Sequence, residues 1–139
     1  MDVGARRIGL AISDSSATLA RPLETIAVAS DLDAVDRVAR RIVDLAAEDD
    51  GLAMIIVGLP VHLDGTPSAE SARVRAFVAR LAARTTVPIA VEDERLTSRE
   101  AESRLAVQER DWRKRKQKLD AAAAAIILQD YLDRTGSRG

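Results

Sequence analysis

The chain has 139 residues, enough for one domain with a sizeable core, and is 47% apolar but only 2% aromatic. Its net charge of −1 excludes a globally basic surface, so any steering of a polyanion has to come from local charge. With no cysteine, disulfides and thiolate zinc sites are excluded, and with no membrane-length apolar run or signal peptide a cytoplasmic domain with no membrane role is expected.

Along the chain, Ile8–Ser13 (IGLAIS) predicts a short strand after a turn at Gly4–Arg7. Arg21-Pro22 starts a second extended piece that runs to about Val28. Ser30 or Asp31 can cap a helix whose apolar stripe is Val35, Val38, Ile42 and Leu45. The continuous apolar run Leu52–Leu59 predicts a strand covered on both faces. Thr66-Pro67 reads as an N-cap followed by proline at the first helical position, opening a helix with Val74, Phe77, Val78 and Leu81 on one face. Val87–Val91 predicts another buried strand. Thr97-Ser98-Arg99-Glu100 fits a capping box, and a last helix is expected over roughly Leu119–Leu132. Strands come first and then alternate with helices, with no linker or repeat. The expectation is one domain over 1–139, of the α/β class, with a mixed sheet covered by helices on both faces.

Three acidic positions stand at the edges of these elements. Asp2 adjoins the flexible Gly4 and reads either as a site residue or as a surface aspartate beside a turn. Glu92, Asp93 and Glu94 end a strand where α/β sheets border their ligand crevice. Alternation puts Glu92 and Glu94 on one face and Asp93 on the other. Asp120 heads a stripe with Ala124, Ile127 and Tyr131, where an unpaired charge would be expensive; an N-cap is the other reading. No lysine or arginine is obviously placed to neutralise each site. A hard divalent cation would be, and magnesium prefers carboxylate oxygens. Two such ions about 4 Å apart can activate water and stabilise the leaving oxygen in phosphodiester cleavage.

Four blocks, DVGARRIG (2–9), VGLPVHLDGT (57–66), DERLTS (93–98) and KLDAAAAAIILQDYL (118–132), resemble the motifs of the YqgF family of bacterial Holliday-junction-resolvase-like proteins. They span most of the chain in the family's order. The resemblance implies an RNase H-like fold and a cytoplasmic nuclease that trims the 5′ end of the small-subunit rRNA precursor, pre-16S rRNA. It further implies that Asp2, Glu94 and Asp120 form the catalytic, metal-binding set for Mg2+ or Mn2+, with Asp93 a neighbour or auxiliary ligand. Glu94 is then essential, Asp93 intermediate and Glu92 dispensable. One departure is visible: family members usually carry several apolar residues before the first aspartate, whereas only Met1 precedes Asp2 here; either the start site is misassigned, the chain has been trimmed, or the strand is unusually short, and in the last case Asp2 would be poorly anchored.

The stretch Arg110–Lys118 packs six basic residues, Arg110, Arg113, Lys114, Arg115, Lys116 and Lys118, around Trp112. Read as a loop between two helices, it can track a phosphate backbone while Trp112 stacks on a base; a solvated loop is the alternative. Arg6 and Arg7 could contact nucleic acid from the opposite side. His62, the single histidine, and Asp64-Gly65 read as loop and turn. RNA is the leading partner, handled by a monomer or weak homodimer. A resolvase acting on branched DNA, a non-catalytic nucleic-acid-binding or transcription-associated module, and a nucleotide-binding phosphotransferase are the competing readings. The phosphotransferase is disfavoured because a nucleotide of that kind is enclosed by two such domains.

Overall fold

The computed structural model describes residues 1–62, 64–93 and 112–136, side chains at 112–119 and 136 excepted. It opens with β1 (Asp2–Val3), a tight turn and β2 (Arg7–Ser13). In the turn the Gly4 amide donates to the Arg7 carbonyl at 2.9 Å. A Cβ on Gly4 would lie 2.6 Å from that oxygen, so glycine alone closes the turn without a shift. β3 (Ala20–Ala27) pairs antiparallel with β2, with a register irregularity between Leu10 and Ala11. There follow α1 (Asp31–Ala46), β4 (Ile55–Leu59), α2 (Ala69–Ala82), β5 (Ile89–Asp93) and α3 (Trp112–Gly136).

β1, β2 and β3 form one antiparallel ladder, and β4 and β5 a parallel one. Met1 joins them. Its nitrogen donates to the Ile56 carbonyl at 2.6 Å, and its carbonyl accepts from Gly58 N at 2.9 Å. Bonds to the residues on either side of one position are the pattern of a parallel pair, so Met1 stands beside Val57 and Asp2 beside Gly58. The result is a mixed sheet in the order β3-β2-β1-β4-β5, as expected for an RNase H-like α/β fold. The short first strand is anchored by these two bonds together with its pairing to β2.

Strand alternation sends side chains to two covered faces. On one face Val3, Ile8, Leu10, Ile55, Val57 and Leu59 pack with Val35, Val38 and Ile42 of α1 and with Val74, Phe77 and Leu81 of α2. The other face is covered by α3, which touches β1 to β4 and buries Ala121, Ala124 and Ile127. β4 is buried along its whole length, but it covers only Ile55–Leu59 of the expected Leu52–Leu59 run; Ala53 and Met54 lie before it and are exposed. Ser30 caps α1, its hydroxyl accepting from Asp33 N at 3.1 Å. Leu45, expected on the buried stripe, is only half-buried.

Three expectations shift. α2 is capped by Ser68, two residues later than expected. Pro67 is held in an extended bridge with Val61, and Ser68 and Ser71 exchange hydrogen bonds of 3.1 and 2.9 Å as a capping box. The Ser71 hydroxyl also donates to the Pro60 carbonyl. β5 is only partly covered, with Val91 exposed, because β4 is the one strand it pairs with among the described residues. α3 begins at Trp112 rather than near Leu119, so residues 113–118 lie in helix and not in a loop. Arginine, lysine, glutamine and leucine are strong helix formers with no glycine or proline among them, so the helix extends through the charged run although no apolar stripe marks it. The capping box expected at Thr97 lies outside the described residues.

Between Val61 and Pro67 the chain makes a small closed loop. His62 N donates to Thr66 O at 2.9 Å and Gly65 N to His62 O at 2.8 Å. The Asp64 carboxylate accepts from both the amide and the hydroxyl of Thr66, at 3.0 and 2.7 Å. Gly65 takes a φ of +88°, a region that favours glycine. The expected turn at Asp64-Gly65 is present.

The C-terminal half of α3 is tied to β5 by charge. Arg134 grips Glu92 with both terminal nitrogens, at 2.6 and 2.5 Å, while the Tyr131 ring lies 5.9 Å from the guanidinium. The Glu92 side chain is 7% exposed. An arginine therefore does neutralise the buried member of the acidic stretch, contrary to the expectation that none is placed there. Removing one partner of a buried pair strands the other charge, at about 3–5 kcal/mol. Since Arg134 itself is largely open to water, Arg134→Ala is expected to cost about 3 kcal/mol, and Glu92→Gln in the same chain to recover most of it. Urea unfolding of the two single variants and the double variant measures this; additive losses would show that the pair is not coupled.

Candidate active site

One row of residues crosses the α3 face of the sheet. Register pairs Asp2 with Gly9 and Gly58 with Glu92, and the Met1 bonds set Gly58 beside Asp2. The row reads Gly9, Asp2, Gly58, Glu92. Asp2 is thus flanked on both neighbouring strands by residues without side chains.

α3 lies directly over this row. A Cβ added to Gly9 would fall 2.0 Å from the Asp120 carbonyl oxygen and 2.9 Å from Ala121 N. The backbone of α3 at Asp120 therefore rests on the backbone of β2, opposite Asp2. The two carboxylates, 118 positions apart in sequence, are close enough that each feels the other. The Asp2 carboxyl is pushed up from 3.8 to about 6, first by burial and then by the Asp120 charge, with the amino terminus and Arg73 opposing the rise.

Asp120 is partly buried and accepts a 2.8 Å bond from Arg7 Nε, across the same face of β2 that carries Gly9. It stands well inside α3, so the N-cap reading does not apply. Its expected stripe is present, with Ala124 and Ile127 fully buried and Tyr131 half-buried. Arg6 is exposed in the β1–β2 turn. Asp93 is exposed and leaves β5 on the side opposite Glu92. Glu94 and Arg110 lie outside the described residues. Trp112, Arg113, Lys114, Arg115, Lys116 and Lys118 are placed by their backbone alone, in the first turns of the helix that carries Asp120.

Three contributors escape sequence reasoning. Arg73 of α2 donates to the Val3 carbonyl at 3.1 Å and pairs with Glu70, which brings a cation to the end of β1. Arg134 and Gly9 meet their partners only through the tertiary fold. Arg73 and Arg134 carry no local mark, and Gly9 closes the first motif block without its partner being visible there.

The donor chemistry fits a hard divalent cation. Two carboxylates converge in a partly buried place, and the proton affinity of Asp2 is raised first by burial and then by the Asp120 charge. Among the described residues no cluster of three histidine, cysteine or acidic side chains is close enough to hold a metal. No helix among the described residues is long and apolar enough to cross a membrane.

A family model described as RuvX, Holliday junction resolvase, matches residues 1–134. The chain belongs to the RuvX (YqgF) family. Among curated relatives, a protein from Chloroflexus aggregans is 44% identical, with 96% of this chain and 90% of the relative covered. One from Anaeromyxobacter sp. (strain K) is 41% identical, with 96% and 94% covered. One from a Nocardioides strain is 42% identical, with 100% and 88% covered. All three bear the name "Putative pre-16S rRNA nuclease". In this RuvX-family chain the acidic pair is assembled from the first strand and the last helix.

The raised Asp2 value has a sign that can be checked. A carboxyl whose folded pKa lies above its unfolded one favours the folded state when protonated. That contribution is complete below about pH 4 and is lost as pH rises through about 6, a swing of at most about 3 kcal/mol. In chelator-treated buffer Asp2→Asn is therefore expected to be more stable than the parent at pH 7.5, with the gap closing by pH 4. Urea midpoints at both values test this; an equal gap at both would place the cause elsewhere.

Proposed function

We propose that the chain is a metal-dependent nuclease that hydrolyses phosphodiester bonds and processes the 5′ end of pre-16S rRNA. The observation that carries this is the approach of Asp120 to Asp2, made by α3 seating its backbone on Gly9, the register partner of Asp2. The relatives' shared name directs the reading to pre-16S rRNA. Asp2, Asp120 and Glu94 would hold Mg2+ or Mn2+, with Asp93 as an auxiliary ligand. When bound, such an ion activates a water for attack and stabilises charge on the leaving oxygen.

The chain's own residues then have distinct tasks. Arg7 holds one oxygen of Asp120 and fixes the direction of the other. Gly9 lets the α3 backbone seat on β2, which brings Asp120 over the strand that pairs with Asp2. Arg6, Arg110, Arg113, Lys114, Arg115, Lys116 and Lys118 bind the backbone of the polyanion, and Trp112 stacks on a base. Because five of these basic residues, Arg113, Lys114, Arg115, Lys116 and Lys118, precede Asp120 on one helix, binding charge and catalytic carboxylate move as one body. The family description keeps branched DNA as a second substrate, which a symmetric dimer would cut and a monomer would not.

The test is cleavage of precursor rRNA and of a four-way DNA junction with Mg2+ or Mn2+. Asp120→Asn and Glu94→Gln should each lose more than the roughly 100-fold typical of removing an outer-sphere partner, with RNA binding largely kept. Glu92→Gln should stay active once its stability loss is allowed for. Full activity in Glu94→Gln would remove that residue from the site, and cutting of the junction alone would move the substrate to DNA.

Neutralising Arg113, Lys114, Arg115 and Lys116 together should weaken binding. It should also reduce the log–log salt slope by about 0.7 for each single-strand phosphate left without its cation. A slope identical to the parent's would leave the run a solvated helix end.

A further inference from the structure

Glycine at position 9 is unusual for the middle of a strand, where it sacrifices packing and backbone order. Ile8 and Leu10 on either side of it are buried in the α1–α2 core, so nothing on that face calls for a small residue. The reason lies on the opposite face. The nearest atoms to a Cβ at this position all belong to the backbone of α3: Asp120 O at 2.0 Å, Asp120 C at 2.3 Å and Ala121 N at 2.9 Å. A flexible side chain could swing aside, but a helix backbone can yield only by moving the helix or the strand. Gly9 is also the register partner of Asp2. The place where α3 comes down on the sheet is therefore next to one candidate carboxylate and directly beneath the other.

We infer that Gly9 is a positioning residue, whose missing side chain sets how closely α3 seats on β2 and so fixes the spacing of the Asp2 and Asp120 carboxylates. The inference rests on the metal-dependent nuclease reading for its consequence and on the packing alone for its geometry. The rest of α3 is held independently, by Arg134 on Glu92 and by Gln129, whose amide spans Thr18 O and Ala20 N, both at 2.9 Å. A methyl group at position 9 should then tilt the helix about those remote anchors and lift the Asp120 end.

The experiment compares Gly9→Ala with Ile127→Val, which trims a buried side chain of the same helix away from the site. Mn2+ affinity is read without nucleic acid, by electron paramagnetic resonance of the free ion, and cleavage is read as kcat and KM separately. Gly9→Ala is expected to lose at least tenfold in Mn2+ affinity, and to lose kcat with KM little changed. Ile127→Val should lower Tm but keep both. Equal Mn2+ affinity in Gly9→Ala and the parent would overturn the proposal, and so would an equal loss in Ile127→Val. If Gly9→Ala does not fold, Asp120→Glu in the parent asks the same question. On a helix fixed in place, a carboxylate one methylene longer overshoots, and Mn2+ affinity should fall at least tenfold at unchanged Tm. Unchanged affinity would show that the spacing is not fixed. A parent that binds Mn2+ but cuts no substrate, alongside a Gly9→Ala that loses Mn2+, would sink the nuclease reading and leave the role of Gly9 standing.

Discussion

Two backbone hydrogen bonds from Met1 to β4 join an antiparallel hairpin sheet to a parallel pair. The two-sided core depends on that junction. Without it the hairpin ladder and the βαβ ladder would each expose an edge, and the α1–α2 core, which draws on Ile8 and Leu10 from one and on Ile55 and Val57 from the other, would divide. The same bonds put Asp2 in the middle of the sheet. A carboxylate there is shielded from water by α3, and its raised proton affinity follows from that position.

Charge on the α3 face is arranged in two parts. At one end Glu92 is satisfied by Arg134 with both oxygens and needs nothing further. Near Asp2 the balance is incomplete. Arg7 engages one oxygen of Asp120, while Arg73 and the amino terminus act on Asp2 from the strand side. Glu92 thus belongs to the scaffold, whereas Asp2 and Asp120 are the carboxylates the proposed function assigns to a cation.

Much of this was legible in the sequence because it is local. The stripe Val35, Val38, Ile42 marks α1, the unbroken apolar run marks β4, and Ala124 with Ile127 marks the buried side of α3. Motif order gave the family. What was not legible depends on interactions between distant residues. Ser68 displaced Thr66 as a cap because Pro67 is held in a bridge to Val61. The charged start of α3 reads as a loop when hydrophobic periodicity is the only guide, although its residues favour helix. Arg134, Arg73 and Gly9 each act on a partner more than forty positions away. The site itself was half visible: Asp2 and Asp120 could be picked out as acids at element edges, but not the close seating of α3 on Gly9 that brings them together.

The closed loop between Val61 and Pro67 rises from the carboxyl end of β4, the rim where β1 and β5 also end. Its backbone is tied at Val61–Pro67 and again at His62–Thr66, and the Asp64 carboxylate locks its tip onto Thr66. A loop with its own internal bonds has given up most of its conformational entropy during folding. A ligand that settled on the described residues of this loop would therefore meet backbone already tied in place, and association there would lose little further freedom on the protein's side. At this edge, discrimination between ligands falls to shape rather than to a loop that rearranges around whatever arrives.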